Sequence, residues 1–457
     1  MGAFKIITFQ HNHSMFFSIS EAVERQNGVF LNTCNWSEAN KIVANIQLPD
    51  LADREFRVED FGINLERNIQ PAIKAAIEAC VTAGGGRVSI PLGRFLCRGP
   101  IHLRSGVELH LSDGAYIKFS PNPEEYLPNV YCRWEGVNLY NYSPMLYAVD
   151  AENIAITGKG VIDGGAEIWS TFRQQQQESR AEAWRVGAEA VALERRQFGE
   201  KHKLRPPMIH LINCRRILIE DVMLTNASFW MIHPVYSKHI TIRGVICHSL
   251  FVNNDGVDID SCSEVLIANS SFCTGDDGIA MKAGRDQDAW TTGIATRNVV
   301  IRNCEIPEAL HGFAVGSELS GGVENIYVQD LRMGNIRCEA IQFKSNKDRG
   351  GVIRNVHLRD ISVEHAGNRL FYITNDYHSY QSEQAPTLFD GITLERIRCQ
   401  YATNAIHIQG LEEKPVRHIC LKNIHVAESP CPVSCHVNCQ DITIEDVSVN
   451  GEAINLT

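Results

Sequence analysis

A right-handed parallel β-helix, all-β and of about ten coils, is the fold class this sequence predicts, with a helical cap at its N-terminal end and an inserted segment. Three observations predict it. First, a seven-residue unit alternating apolar and polar residues recurs: E-N-I-A-I-T-G at 152, R-I-L-I-E-D-V at 216, H-I-T-I-R-G-V at 239, E-V-L-I-A-N-S at 264 and N-V-V-I-R-N-C at 298. It continues as N-I-Y-V-Q-D-L at 325, N-V-H-L-R-D-I at 355, G-I-T-L-E-R-I at 391, H-I-C-L-K-N-I at 418 and D-I-T-I-E-D-V at 441. Such alternation marks a strand with one buried face. Second, from 216 onward the units start 23, 25, 34, 27, 30, 36, 27 and 23 residues apart, each about one coil. Third, no helical periodicity separates them. A leucine-rich repeat would need a tighter period with regular leucines, and a propeller four strands per unit.

The elements follow in chain order. Residues 1–55 read as an N-terminal extension, with a short helix expected over 36–46 and Ile42, Val43 and Ile46 on one face. The β-helix proper is expected over 56–457. It opens on the strand-like F-R-V-E-D-F-G-I, followed by a capping helix over 68–83 with Ile69, Ala72, Ile73, Ala76, Ile77 and Cys80 at helical spacing. Gly84, Gly85 and Gly86 end it, because glycine accepts the left-handed conformation a helix stop requires. Short strands R-V-S-I-P, R-F-L-C, P-I-H-L and V-E-L-H-L come next. The stretch 121–206 breaks the period with Tyr126, Trp134, Tyr140, Tyr142, Tyr147, Trp169 and Trp184 and a polar helical run over 174–200. Either it packs on the outside of the solenoid, or it walls one end of a substrate groove.

Composition narrows the function classes. The chain has 457 residues, 44% apolar and 21% charged, an ordinary globular balance. Its formal charge of −11 disfavours nucleic acid and anionic membranes as partners. The apolar start is broken by Gln10, His11, Asn12 and His13, which is not a secretory pattern, and no run is long enough to span a bilayer. Fifteen cysteines, at strand-like positions such as Cys214, Cys262, Cys304, Cys338 and Cys420, read as buried thiols of a reducing compartment, so a cytoplasmic location is expected.

Chemistry concentrates in residues 253–284. Coils stack about 4.8 Å apart, so residues one coil apart become neighbours. Asp255 to Asp276 is 21 residues, Asp277 to His311 is 34, His311 to Lys344 is 33, and His233 lies 22 before Asp255. This spacing predicts one column of His233, Asp255, Asp276/Asp277, His311 and Lys344 across a solvent-facing groove. Crowded carboxylates repel, so at least one should hold a proton, dividing the set into acid and base as glycoside hydrolysis requires. Gly275 and Gly278 should permit the kink that turns both aspartates outward. N-D-G and G-D-D-G are also common turn chemistry, and Asp258 and Asp260 read as turn or ladder residues. A calcium-dependent lyase or a non-catalytic sugar-binding β-helix remain as alternatives.

These motifs resemble glycoside hydrolase family 28, the polygalacturonases, from about residue 56 to the end, and look most similar to the bacterial exo-polygalacturonase branch. N-N-D-G-V-D at 253, T-G-D-D at 274 and L-H-G-F-A-V-G-S at 310 match that family's motifs in order and spacing, with G-S-E-L-S-G-G-V at 316 adding similarity. The resemblance implies an inverting hydrolase without metal or organic cofactor, acting on α-linked galacturonate in pectic oligosaccharides or polysaccharides. It implies Asp276 as general acid, Asp255 and Asp277 as the groups that activate water, and His311 as a residue that holds Asp277 or the substrate. One departure stands out: the family's R-I-K motif falls on Gln342-Phe343-Lys344. An amide replaces a guanidinium there, which weakens the grip on a substrate carboxylate. Lys282, Arg285, Lys347 and Arg349 are candidates to compensate, and Trp230 and Tyr377 to stack on sugar. A rhamnogalacturonan-directed hydrolase of the same family is the second reading.

Overall fold

Two positions of the recurring heptapeptide explain how the chain coils. In the computed structural model, which describes residues 36–62, 66–377 and 384–455, the unit's first residue has left-handed backbone at Arg216, His239, Glu264, Asn298, Asn325, Asn355, Gly391, His418 and Asp441. Its sixth residue does so at Asp221, Gly244, Asn269, Asn303, Asp330, Asp360, Arg396, Asn423 and Asp446. Left-handed residues bend an extended chain sharply, and glycine, asparagine and aspartate adopt them at least cost. The strand between the two bends is thereby held to four or five residues. At the first bend Asn325 donates to Asn298 at 3.0 Å and Asn355 to Asn325 at 2.7 Å, a side-chain ladder running coil to coil.

Three parallel faces result, forming a right-handed β-helix. The first face stacks thirteen strands among the described residues, from Glu55–Arg57 and Gly86–Ile90 to the final Cys439–Val449, against the ten recurrences legible in sequence. The extra early coils lack a recognisable heptapeptide. From 217 onward the inner side of this face is a ladder of branched side chains in strict register: Ile217, Ile240, Val265, Val299, Ile326, Val356, Ile392, Ile419 and Ile442. Burying each such side chain contributes roughly 1.5–3 kcal/mol before the cost of ordering the chain.

The ends and sides are closed by helices. Gln70–Thr82 buries Ala72, Ile73, Ala76, Ile77 and Cys80 over the first coils, and Gly84 (φ +90°) and Gly85 (φ +104°) terminate it. Ser37–Asn45 sets Ala39 and Ile42 against Leu266, Val300 and Tyr327, outward apolar residues on three successive coils. That cover accounts for apolar side chains on a sheet's outer surface. The rest of the expected extension, residues 1–35, lies outside the described residues.

The excursion expected over 121–206 is two excursions, not one. Leu146–Val149, Glu152–Gly158 and Val161–Asp163 pair in register with the coils before and after. Only the heptapeptide at 152 showed in sequence; the aromatics that flank this coil on both sides hid its other two strands. Before it comes the antiparallel hairpin Val130–Trp134 with Val137–Asn141; after it come the helices Ala166–Gln175 and Gln177–Ala188. Both excursions share a second core around Trp134, Val137, Leu139, Ala183, Phe229 and Trp230.

The fourteen described cysteines are unpaired thiols; Cys214, Cys262 and Cys304 are buried, whereas Cys338 and Cys420 are only half-buried. No helix among the described residues is long and apolar enough to cross a membrane.

Candidate active site

The third face carries the chemistry, because a break in pleat alternation there places polar residues in three neighbouring columns. At its entry two consecutive residues both face inward: Gly256 with Val257, Gly278 with Ile279, Gly312 with Phe313, Ala340 with Ile341. A β-carbon at Gly256 would meet Phe272 at 2.6 Å and the Gly278 carbonyl at 2.5 Å; one at Gly278 would meet Ile306 at 2.8 Å and the Gly312 carbonyl at 2.9 Å. Glycine is required by close approach, therefore, and not by the kink expected of it: neither Gly275 nor Gly278 has a positive φ. At Gly275 a β-carbon would lie 1.8 Å from the Phe251 carbonyl.

The expected single column is three. Asp277 pairs in register with His311, and the same registers put Asp255 below Asp277 and Glu339 above His311. Asp258, Ala280, Ala314, Gln342 and Tyr372 form the next column, and His233 belongs to it, over His210. Asp260, Lys282, Gly316 and Lys344 form the third. Counting whole intervals misplaced His233 and Lys344 because coils differ in length: the coil carrying Phe313 to Ile341 has 28 residues, not 33. Long side chains still converge. The Lys344 ammonium donates to both Asp277 oxygens at 3.2 and 3.1 Å, crossing from the third column to the first.

Burial differs from the open groove that was expected. Asp276, in the bend before the strand Asp277–Lys282, is half-buried, whereas Asp255, Asp277, Lys344 and Gln342 are nearly enclosed. The proton affinities split accordingly. Burial and the neighbouring Asp277 charge raise Asp276 above the usual carboxylate range, with Lys344 and His311 opposing. Burial pushes Asp277 up too, but Lys344, then Lys282 and His311, outweigh it and hold Asp277 low. Asp255 is raised well above its ordinary value by burial and by Asp258, and Asp258 is raised by its own burial. Among the described residues Asp255 Oδ1 and both Asp258 oxygens accept no hydrogen bond, Lys282 coming only to 3.7 Å from Asp258 Oδ1, so burial favours the protonated form in this pair.

Of the two roles expected of His311, holding Asp277 or the substrate, the first is not seen: it makes no hydrogen bond to Asp277 among the described residues. Its Nδ1 lies 2.9 Å from Glu339 Oε2, while Glu339 Oε1 accepts from Asn368 at 2.7 Å and Arg369 at 2.6 Å. Fully buried His233 stacks on His210 with centroids 4.6 Å apart, its Nε2 3.5 Å from Asp260. Trp230 is also enclosed, between Phe229 (centroids 5.0 Å apart) and the Lys282 ammonium 4.9 Å from its ring. Neither offers a face to a sugar, because the two excursions cover this side. Half-buried Tyr377 has the Lys344 ammonium 5.4 Å from its centroid.

Gln342 is buried, with Oε1 accepting no hydrogen bond among the described residues. The candidate compensating cations are engaged. Lys282 lies 3.2 Å from Glu318 and 3.8 Å from Asp277, and Arg285 lies 2.9 Å from Glu318. Arg349 donates to the Ser317 carbonyl at 2.8 Å and pairs with Asp286 at 2.5 Å. Arg285 also stacks 3.9 Å over Trp184, whose indole donates to Glu135 at 3.1 Å, so hairpin and helix both reach the flank of the site. Two groups of donor atoms lie within 4.8 Å of one another, Asp276 with Asp277 and His311, and His311 with Cys338 and Glu339. Lysine and arginine already neutralise most of these carboxylates.

Glu318, Glu339, Arg205 and Asp258 were missed as site residues. Asp258 was legible: in D-G-V-D-I-D the apolar Val257 and Ile259 turn inward, so Asp258 and Asp260 share the outer surface. Glu318 and Arg205 leave no such periodic signal.

Neighbouring carboxylates with divergent proton affinities, fixed on a rigid sheet and balanced by lysine, are the machinery of a glycoside hydrolase. Comparison with known proteins agrees. The profile of glycosyl hydrolases family 28 matches residues 136–448, and the chain belongs to that family. A crystal structure of a hyperthermoactive exopolygalacturonase from Thermotoga maritima superposes with a TM-score of 0.85 at 33% identity, covering 91% of this chain and 96% of that one. An exo-poly-alpha-D-galacturonosidase of Dickeya chrysanthemi is 26% identical over 76% of this chain, which spans 62% of that protein's length. An endo-polygalacturonase of Pectobacterium parmentieri is 25% identical, covering 77% of this chain and 82% of its own.

Proposed function

We propose that the chain is an exo-acting hydrolase that removes terminal galacturonate from pectic oligosaccharides with inversion at the anomeric carbon. The observation that carries the reading is the split between adjacent aspartates, Asp276 raised by burial and Asp277 held down by Lys344. Half-buried Asp276 protonates the leaving glycosidic oxygen. Both oxygens of Asp277 accept from Lys344, which suits it to orient water and not to attack carbon. Within the raised Asp255–Asp258 pair the proton is assigned to Asp258, which leaves Asp255 Oδ1, on the coil below, as the second acceptor.

One oxygen of Asp276 and one of Asp277 lie within 4.8 Å of each other. Inversion is read from the Lys344 contact, which engages both Asp277 oxygens, and from the family. The exo mode is supported by the two excursions that wall one flank and by similarity to the Thermotoga exopolygalacturonase. The substrate carboxylate is assigned to the cluster of Lys282, Arg285 and Arg349, which Glu318, Asp286 and the Ser317 carbonyl hold in place, instead of to the guanidinium absent at Gln342.

The test is Asp276→Asn assayed on oligogalacturonides and rhamnogalacturonan fragments. The expected result is loss of about 10³-fold in kcat with unchanged circular dichroism, since a general acid contributes roughly 10²–10⁴. Full activity in the variant, or wild-type cleavage confined to rhamnogalacturonan, overturns the reading.

A further inference from the structure

We infer that Arg205 is a positioning residue, which through Asn253 fixes the oxygen of Asp276 that carries the acidic proton. The inference rests on the reading of Asp276 as general acid. Arg205 lies in the second excursion, just before the chain rejoins the coil at Ile209–Ile212, and its side chain is fully buried. It donates to Gln176 Oε1 at 3.2 Å, to the carbonyls of Ser228 at 3.2 Å and Val252 at 2.8 Å, and to Asn253 Oδ1 at 2.7 Å. Asn253 in turn donates through Nδ2 to Asp276 Oδ2 at 3.1 Å.

The chemistry of donors makes this chain directional. A guanidinium has five N–H groups and no acceptor, so whatever it contacts must present an oxygen. Asn253 therefore keeps its carbonyl toward Arg205 and its amide N–H toward Asp276. An N–H pointing at Asp276 Oδ2 forbids a proton on that oxygen, which leaves Oδ1 to carry it. Without Arg205 the amide is free to flip, its carbonyl then faces Asp276, and the carboxyl proton is captured in a hydrogen bond to Asn253. Two further features fit. Asn253 has left-handed backbone (φ +61°), which fixes where its side chain starts. The carbonyl of Asp276 accepts from the Leu310 amide at 3.0 Å, which anchors the acid's backbone from the next coil.

The other charged and titratable groups facing Asp276 are Asp255 from the coil below, Asp277 and Lys282 on its own strand, His311 and Cys338 from the coils above, and Lys344 and Tyr377. None of them bonds to the Asn253 amide among the described residues, so the relay is separable from them.

The experiment compares Arg205→Met, which removes every donor facing Asn253, with Asn253→Gly and the double variant on trigalacturonate across pH, with Asp276→Asn in parallel. Glycine accepts the left-handed backbone at 253, so that variant retains the turn. Expected is a kcat about tenfold lower in each single variant, KM within twofold, and a basic limb of the pH profile moved upward, because an anionic Asp276 loses its donor. The double variant should be no worse than Asn253→Gly, since both changes break one relay. Additive losses, or an unmoved basic limb, overturn the relay. A methionine variant that fails to fold leaves Asn253→Gly to decide: an unmoved limb overturns the inference and a raised limb sustains it. Activity surviving in Asp276→Asn instead removes the reading beneath it.

Discussion

Lys344 and Asp277 set the electrostatic state of the site. Lysine holds the aspartate ionised against a burial penalty that would otherwise protonate it. The sign of the consequence is fixed. In the proposed mechanism Asp277 must be deprotonated to accept from water, so it would govern the acid limb of activity; Asp276 must hold its proton, so it would govern the basic limb. Replacing Lys344 with methionine removes the largest influence depressing Asp277, and the acid limb should move up by about 1 pH unit or more. An acid limb unchanged in Lys344→Met would show that a different group titrates there. The same signs apply to stability. Asp277 and Glu318, depressed in the fold, contribute stability above the ordinary carboxylate range that is lost as pH falls through their lowered values. Asp255 and Asp258, raised in the fold, oppose folding as pH rises through theirs.

Among elements, the entry to the third face matters most, where Gly256, Gly278 and Gly312 stack coil over coil. Gly278→Ala places a methyl 2.9 Å from the Gly312 carbonyl and 2.8 Å from Ile306. Overpacking of this kind costs roughly 1–3 kcal/mol, and here it also displaces the neighbouring Asp277. Urea unfolding should show the loss, and kcat should fall with it; an unaltered midpoint would mean the coils can part without cost.

The heptapeptides and the aspartate triplet were legible at this level because alternation reports which side of a strand is buried. Which residues stack was not. Register depends on the number of residues each turn absorbs, and turns of different length shifted His233 by three positions and Lys344 by five from the expected column. The coil formed by Leu146–Val149, Glu152–Gly158 and Val161–Asp163 was legible only in its middle strand, the heptapeptide at 152; the other two strands are too short to be told from the excursions that flank them.

For the molecule as a whole, substrate choice falls where scaffold and excursions meet. Trp184 from the second excursion and Gly136 from the first both hold Arg285, whose amide donates to the Gly136 carbonyl at 3.1 Å. Trp184→Ala should therefore raise KM for trigalacturonate about tenfold while leaving kcat within about threefold, as removal of uniform substrate binding does. A fall in kcat with unchanged KM would instead assign the excursions to the chemical step. No sequence pattern announced this clamp, since its parts come from residues about 50 and 100 positions apart that share neither a strand nor a period.

The most direct measurement is a proton NMR time course of the wild-type chain acting on trigalacturonate, read before mutarotation. The account predicts saturated galacturonate monomer appearing first as the β-anomer. First appearance of the α-anomer, or of an unsaturated sugar, would contradict it.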